Sequence, residues 1–161
     1  MNFVRRHLHV VLALYVVFVF VQSLFFKFSD SPETIYIFQT KLDPWAASLG
    51  FPGLFAPGGI FSAHVVGSFE LLASLLLLGG TFVARLRLLQ ALGAMLGLGV
   101  ISGAIFFHLF TPLGVQVVNA DGSKDGGELF MLACGVWICS AILIWLRRDL
   151  LPGMLPRAQR S

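Results

Sequence analysis

Four uninterrupted apolar runs constrain this chain more than any other feature. Residues 8–26, 60–82, 88–110 and 129–146 each offer about 20 almost wholly apolar positions, the length a helix needs to cross a hydrocarbon core of ~30 Å. None contains proline. In lipid, the backbone polar groups of such a run must be satisfied within the segment, so each run reads as a helix. Composition agrees: 57% of the residues are hydrophobic and 12% charged, where soluble domains carry about 25% charged residues. That excludes a disordered chain, a nucleic-acid arm and an ordinary soluble enzyme. The expected architecture is all-α: a single membrane domain over 1–161, built as an antiparallel bundle of four transmembrane helices.

Charge placement orients the bundle. The arginines fall in three places: Arg5 and Arg6, Arg85 and Arg87, then Arg147, Arg148, Arg157 and Arg160. Four spans put both termini and the short 83–87 loop on one side, so every arginine shares that side. By the positive-inside rule this is the cytoplasm, with 147–161 as a cytoplasmic tail. The pI near 9.2 is therefore read as topology signalling and not as a nucleic-acid surface. The first run ends in Leu24-Phe25-Phe26-Lys27 without a small-residue cleavage site, so it reads as a retained anchor and not a signal peptide.

Between the first two runs lies an outer segment, 27–59, with helical signals of its own. Ser31-Pro32-Glu33 combines a hydroxyl N-cap, proline at N1 and an acid in the first turn, and Asp43-Pro44-Trp45 repeats that chemistry. Thr34-Ile35-Tyr36-Ile37-Phe38 is amphipathic enough to lie on the bundle or on headgroups. Trp45, Phe51 and Phe55 suit an interfacial belt. The Gly/Pro-rich 50–59 stretch and the polar 119–127 loop are turn regions.

Glu70 stands alone as an acid inside an apolar run. A charged carboxylate facing lipid there costs several kcal/mol, so it must face protein or water, or be protonated. Ala63, Gly67, Glu70 and Ser74 share one helix face, and the small residues allow another helix to approach the carboxyl. A structural interhelical bond and a proton-carrying or ligand-binding acid are both open readings. His108 shares a face with Gly97, Ile101 and Ala104. With His64 and Glu128 it would complete a polar pocket near the outer surface, about 9 Å above Glu70 by helix rise. For His108 the plain alternative is a histidine bonded to a carbonyl. The pairs Gly93–Gly97 and Gly99–Gly103 have GxxxG spacing, which favours close helix packing. Phe25-Phe26 and Phe106-Phe107 could line a quinone or lipid cleft. No metal-ligand pair at local spacing occurs, and no P-loop, GxGxxG, HExxH or GxSxG motif. Cys134 and Cys139, five residues apart on one helix, do not face each other and read as small buried hydrophobes.

The order Gly67-Ser68-Phe69-Glu70, Leu75-Leu76-Leu77-Leu78-Gly79-Gly80, Arg85, Met95, His108 and Gly126-Gly127-Glu128 resembles the DoxX-like family of small four-helix integral membrane proteins. Lys27 matches the basic residue that family carries after its first helix, and Glu70, Arg85, His108 and Glu128 match its pattern. The longer 27–59 segment departs from the compact form. The resemblance implies a bacterial inner-membrane protein that serves as a subunit or accessory of a redox system, with quinone as the candidate cofactor. Expected partners are membrane lipid and redox-complex subunits, with a homo-oligomer as a further option and no nucleic acid. Two other readings stay open: a non-catalytic assembly or scaffold subunit, and a small proton or solute permease. Whether the chain is an enzyme is open as well.

Overall fold

The computed structural model describes residues 2–119 and 121–150, with side chains from residue 7 onward. The tail beyond 150, with Arg157 and Arg160, and the side chains of Arg5 and Arg6 lie outside the described residues. The protein is all-helical. Helix α1 spans Asn2–Phe28, α2 Pro32–Ile35, α3 Asp43–Ser48, α4 Ala63–Phe82, α5 Arg87–Phe110 and α6 Glu128–Leu146. Of these, α1, α4, α5 and α6 are long and apolar enough to cross a membrane. Among the described residues the β-structure amounts to one isolated bridge, Val118 to Lys124.

Two polar ties fix the direction of the four long helices. Gln90 sits at the start of α5: its Nε2 donates to Thr81 Oγ1 at 2.7 Å and to the His9 carbonyl at 3.3 Å, while its Oε1 accepts from Arg147 Nε at 2.6 Å. The start of α1, the end of α4, the start of α5 and the end of α6 therefore meet at one end, which also carries Arg85 and Arg87. Lys27, in the last turn of α1, meets Glu70 in the first half of α4. The bundle runs up, down, up, down. Each helix packs on its two neighbours, α4 on α1 and α5, α6 on α5 and α1, and the diagonal pairs barely touch.

Small residues set the spacing. A Cβ on Gly93 would sit 2.8 Å from Leu77 N and 2.9 Å from Ala73 O, so α4 and α5 touch backbone to backbone there. Gly97 packs against Phe20 tightly: a Cβ there would stand only 3.2 Å from the ring, closer than an ordinary contact. Gly99 and Gly103 differ from expectation. A Cβ on Gly99 meets nothing within 4 Å, and one on Gly103 only grazes Phe107 at 4.0 Å. Their face of α5 looks into open space, so that GxxxG pair mediates no close packing. Gly93→Ala should therefore destabilise the bundle by about 1–3 kcal/mol through overpacking. Gly99→Ala should instead stabilise it by up to about 1 kcal/mol, because a helix-interior glycine is removed without a clash. Unfolding in detergent titrated with a denaturing surfactant reads both.

The segment between α1 and α4 forms a cap. Ser31 accepts from Thr34 N at 3.2 Å as an N-cap, and Thr34 Oγ1 donates back to the Phe26 carbonyl at 2.9 Å, which folds the cap onto α1. From Pro32 to Ser48 the chain stays helical, with a π-helical stretch at Tyr36–Leu42 between α2 and α3. Thr34, Phe38, Leu42 and Ala46 all point inward. Steps of four over-rotate an α-helix by about 40° each, and the wider π turn takes that drift back. Asp43-Pro44 thus lies inside a continuing helix and does not start one. Its carboxylate instead accepts from Phe55 N at 3.0 Å, pinning the glycine-rich turn beneath it.

That turn delays the start of α4. Phe61 N bonds to the Leu54 carbonyl at 3.0 Å and Ser62 is extended at the N-cap position, so Ile60 and Phe61 belong to the turn and not to the helix. Phe55, expected at an interfacial belt, is buried with Phe38, Leu42, Ala46, Ala63, Leu113 and Val117 in a second core under the cap. Trp45 packs edge-on to Phe107, with 6.1 Å between ring centres. Phe51 is exposed. Cys134 and Cys139 are half-buried, free thiols.

Candidate functional site

Glu70 is 4% exposed, and the residues that share its face, Ala63, Gly67 and Ser74, are buried with it. The approaching helix is α1. A Cβ on Gly67 would lie 3.5 Å from the Lys27 stem and 3.4 Å from Phe28, so the lysine lies across the glycine to reach the acid. Lys27 Nζ stands 3.0 Å from both Glu70 oxygens and also donates to Ser23 Oγ. All three ammonium protons are used. The pair is well buried, with 13% and 6% of the two side chains exposed. Removing two charges from water is costly, and such a pair holds only while each partner neutralises the other.

Above and beside this pair the bundle is hollow. A cavity of about 590 Å³ lies between α1, α4, α5 and α6 beneath the cap. Phe20, Phe38, Val66, Ile101, Phe107 and Leu132 give it a mainly apolar wall, and polar groups, Glu70, Lys27, His108 and Glu128 among them, punctuate it. The volume and chemistry match a pocket for an apolar molecule with a small polar head. Gly99 and Gly103 form part of the wall, so the missing side chains on that face of α5 create part of the space. Phe26, Phe69, Ile60, Phe61 and Leu129 line the cavity and are also exposed on the bundle flank. The cavity therefore opens sideways through an apolar rim.

The sequence candidates separate. Glu70, His108 and Glu128 share the cavity wall. His108 is buried and its Nδ1 lies 2.7 Å from the Gly114 carbonyl, so the plain role expected for it is met. Its ring also packs edge-on to Phe130. Glu128 is exposed, in the first turn of α6. His64 is not part of the wall: it sits outside, 5.6 Å from the Phe28 ring and 4.0 Å from Asp30 Oδ1. Arg85 is exposed at the opposite end, in the turn before α5. Two residues escaped sequence reasoning. Lys27 looked like a base beyond the end of the first run, although a lone acid in an apolar run calls for a base and Lys27 is long enough to reach inward. Gln90, fully buried at the arginine-bearing end, gave no signal except one amide in an apolar run.

Asp125 anchors the loop beside the cavity. Its Oδ1 accepts from Val117 N at 2.8 Å and Gly127 N at 2.9 Å, and its Oδ2 from Leu129 N at 3.2 Å. Burial pushes its carboxyl up. The N–H groups of Gly127, Val117 and Leu129, together with nearby His108, outweigh that and hold it below the usual aspartate range. The sign follows from linkage. The contribution is complete above the unfolded value of about 3.9 and is lost as pH falls through the lower folded value. The protection of the Val117 and Leu129 amides, taken relative to the intrinsic exchange rate at each pH, should hold down to about pH 4 and fall below it. Asp125→Asn should lower that protection at neutral pH.

Among the described residues no group of three His, Cys, Asp or Glu side chains could hold a metal ion. No family model, curated protein or solved structure matches the chain.

Proposed function

We propose that this is a multi-pass protein of the bacterial inner membrane whose cavity holds a quinone-type amphiphile, as a DoxX-like subunit or accessory of a membrane redox system. One observation carries the reading. A mainly apolar cavity of about 590 Å³ opens sideways between helices long enough to span a bilayer, with a buried Lys27–Glu70 pair in its wall. A ligand that lives in the hydrocarbon layer reaches such a site without crossing water. The ring of a quinone would sit near the polar wall, and its tail would leave through the apolar rim. The family resemblance of Lys27, Glu70, His108 and Glu128 supports the redox assignment.

In this orientation the arginine-bearing end faces the cytoplasm and the cap faces outward. A cysteine placed at Ser48 should react with an impermeant maleimide in intact spheroplasts. One at Ala84 should react only after lysis, and the reverse pattern contradicts the orientation. For the function, quinone-dependent oxidoreductase activity of native membranes should fall when the gene is removed. It should not return with Glu70→Gln, provided the variant is present at normal level. Full activity with that variant argues against the site.

The satisfied Lys27–Glu70 pair also favours a second reading. Two charges that neutralise each other serve to fasten α1 to α4 in a scaffold subunit. On that reading the cavity holds structural lipid, and its occupant is not redox-active.

A further inference from the structure

We infer that the arginine-bearing end of the bundle holds a phosphate-ester site, formed by Arg87 at the start of α5 and Arg147 just past the end of α6. Neither residue lines the cavity, so the site does not depend on what the cavity holds. Gln90 builds it. This residue is fully buried, its Nε2 is spent on Thr81 Oγ1 and the His9 carbonyl, and its Oε1 accepts from Arg147 Nε at 2.6 Å. The Arg147 guanidinium is therefore held along one edge. Its four Nη protons form no hydrogen bond among the described residues. Arg87 lies three residues before Gln90 on the same face of α5, which places it beside the arginine that Gln90 holds. The Arg148–Leu150 turn packs on α5 as well.

Two guanidinium groups side by side repel. Burial holds the Arg147 pKa down, Arg87 depresses it further, and Asp149 offsets part of this. No carboxylate closes the deficit: among the described residues the ion pairs are Lys27–Glu70 and His64–Asp30, both toward the cap. Asp149 is the one acid within 1–9, 83–90 and 147–150, the stretches that gather at this end. A phosphate supplies what is missing, an anion whose oxygens match the fork of a guanidinium and can be taken from two sides. Arg148 marks the depth. It lies over the exposed Trp145 ring, 4.8 Å from its centre, a pairing suited to the boundary between lipid and water. The headgroup of an anionic phospholipid in the adjoining leaflet and a soluble phosphate monoester share the chemistry. The depth favours the lipid.

The test uses the full chain, delipidated in a non-ionic detergent, with binding read by native mass spectrometry. Dioleoyl phosphatidylglycerol should bind at least about tenfold tighter than dioleoyl phosphatidylcholine. Arg87→Gln should weaken that binding by about tenfold or more, the value of a hydrogen bond between charged partners. Arg87 is exposed, so the bundle tolerates the change. Arg147→Lys keeps the charge, loses the fork and should weaken binding by a similar factor, with circular dichroism confirming that the helices persist. Unchanged binding in either folded variant overturns the site. Arg85→Gln removes an equal charge at the same end but outside the site, and should cost no more than about fivefold, the contribution of one surface charge. Equal losses in Arg85→Gln and Arg87→Gln would mean a diffuse positive field and overturn the inference. Displacement of phosphatidylglycerol by millimolar glycerol phosphate supports the site with a soluble ligand as its source, and tight lipid binding without displacement supports it with the lipid. No preference for phosphatidylglycerol and no binding of glycerol phosphate overturn it.

Discussion

Lys27→Met alone should cost the fold about 3–5 kcal/mol, and Glu70→Leu alone about as much, whereas the double variant should recover most of the loss. Each single change strands one charge in a buried site, with the partner side chain only 13% or 6% exposed. Lys27 would keep only a serine hydroxyl, and Glu70 would keep no donor. The double change removes both charges and leaves apolar side chains of similar size between α1 and α4. Surfactant-driven unfolding of the four proteins gives the coupling energy directly. Additive losses would mean that the two residues act independently, against the geometry. The folded double variant has a second use. It separates fastening from binding, because it keeps the bundle and removes the buried ion pair from the cavity wall. The scaffold reading expects it to assemble and function; the ligand-binding reading expects function to be lost.

Gly103→Leu should leave the bundle at least as stable as before and reduce ligand retention by about tenfold or more. The position has room: a Cβ there meets only the Phe107 ring at 4.0 Å. A helical side chain leans toward the N-terminus and covers the preceding turn, which here is Gly99, where nothing lies within 4 Å. The leucine therefore grows into the cavity and not into a neighbouring helix. Removing a helix-interior glycine adds up to about 1 kcal/mol of helix propensity. A variant that is stable yet still fully loaded would mean that the ligand sits elsewhere. A collapse in stability would mean that the open space along this face of α5 is not there.

The two outcomes depend on features that were unequally legible in the sequence. The four long helices could be read directly, because hydrophobic length is a one-dimensional property and none of the runs holds a proline. The buried face of α4 could be read too: the 4, 3, 4 spacing of Ala63, Gly67, Glu70 and Ser74 is helix geometry. The start of α4 was misread at Ile60, since Ile60 and Phe61 are apolar whether they sit in a helix or in a turn. What moved the boundary was a long-range bond from Phe61 to Leu54. The cap was read as two helix starts because Asp43-Pro44 carries the local chemistry of one. The inward stripe Thr34, Phe38, Leu42 and Ala46 prevailed by drawing the chain into one continuous helix with a π turn. GxxxG spacing could not tell Gly93, pressed on Leu77, from Gly99, facing empty space, because the pattern records spacing and not which face meets a partner. Lys27 and the cavity were hidden for the same reason. Both depend on how α1 crosses α4.

The space under the cap is proposed to hold a quinone-type amphiphile. Gentle extraction of the chain and its Gly103→Leu variant from native membranes, followed by mass spectrometry of every small molecule retained, tests it most directly. The account predicts roughly one isoprenoid quinone or hydroquinone per chain in the parent protein and a marked loss in the variant. Bulk phospholipid alone in the parent protein, or the same quinone content in both proteins, would contradict it.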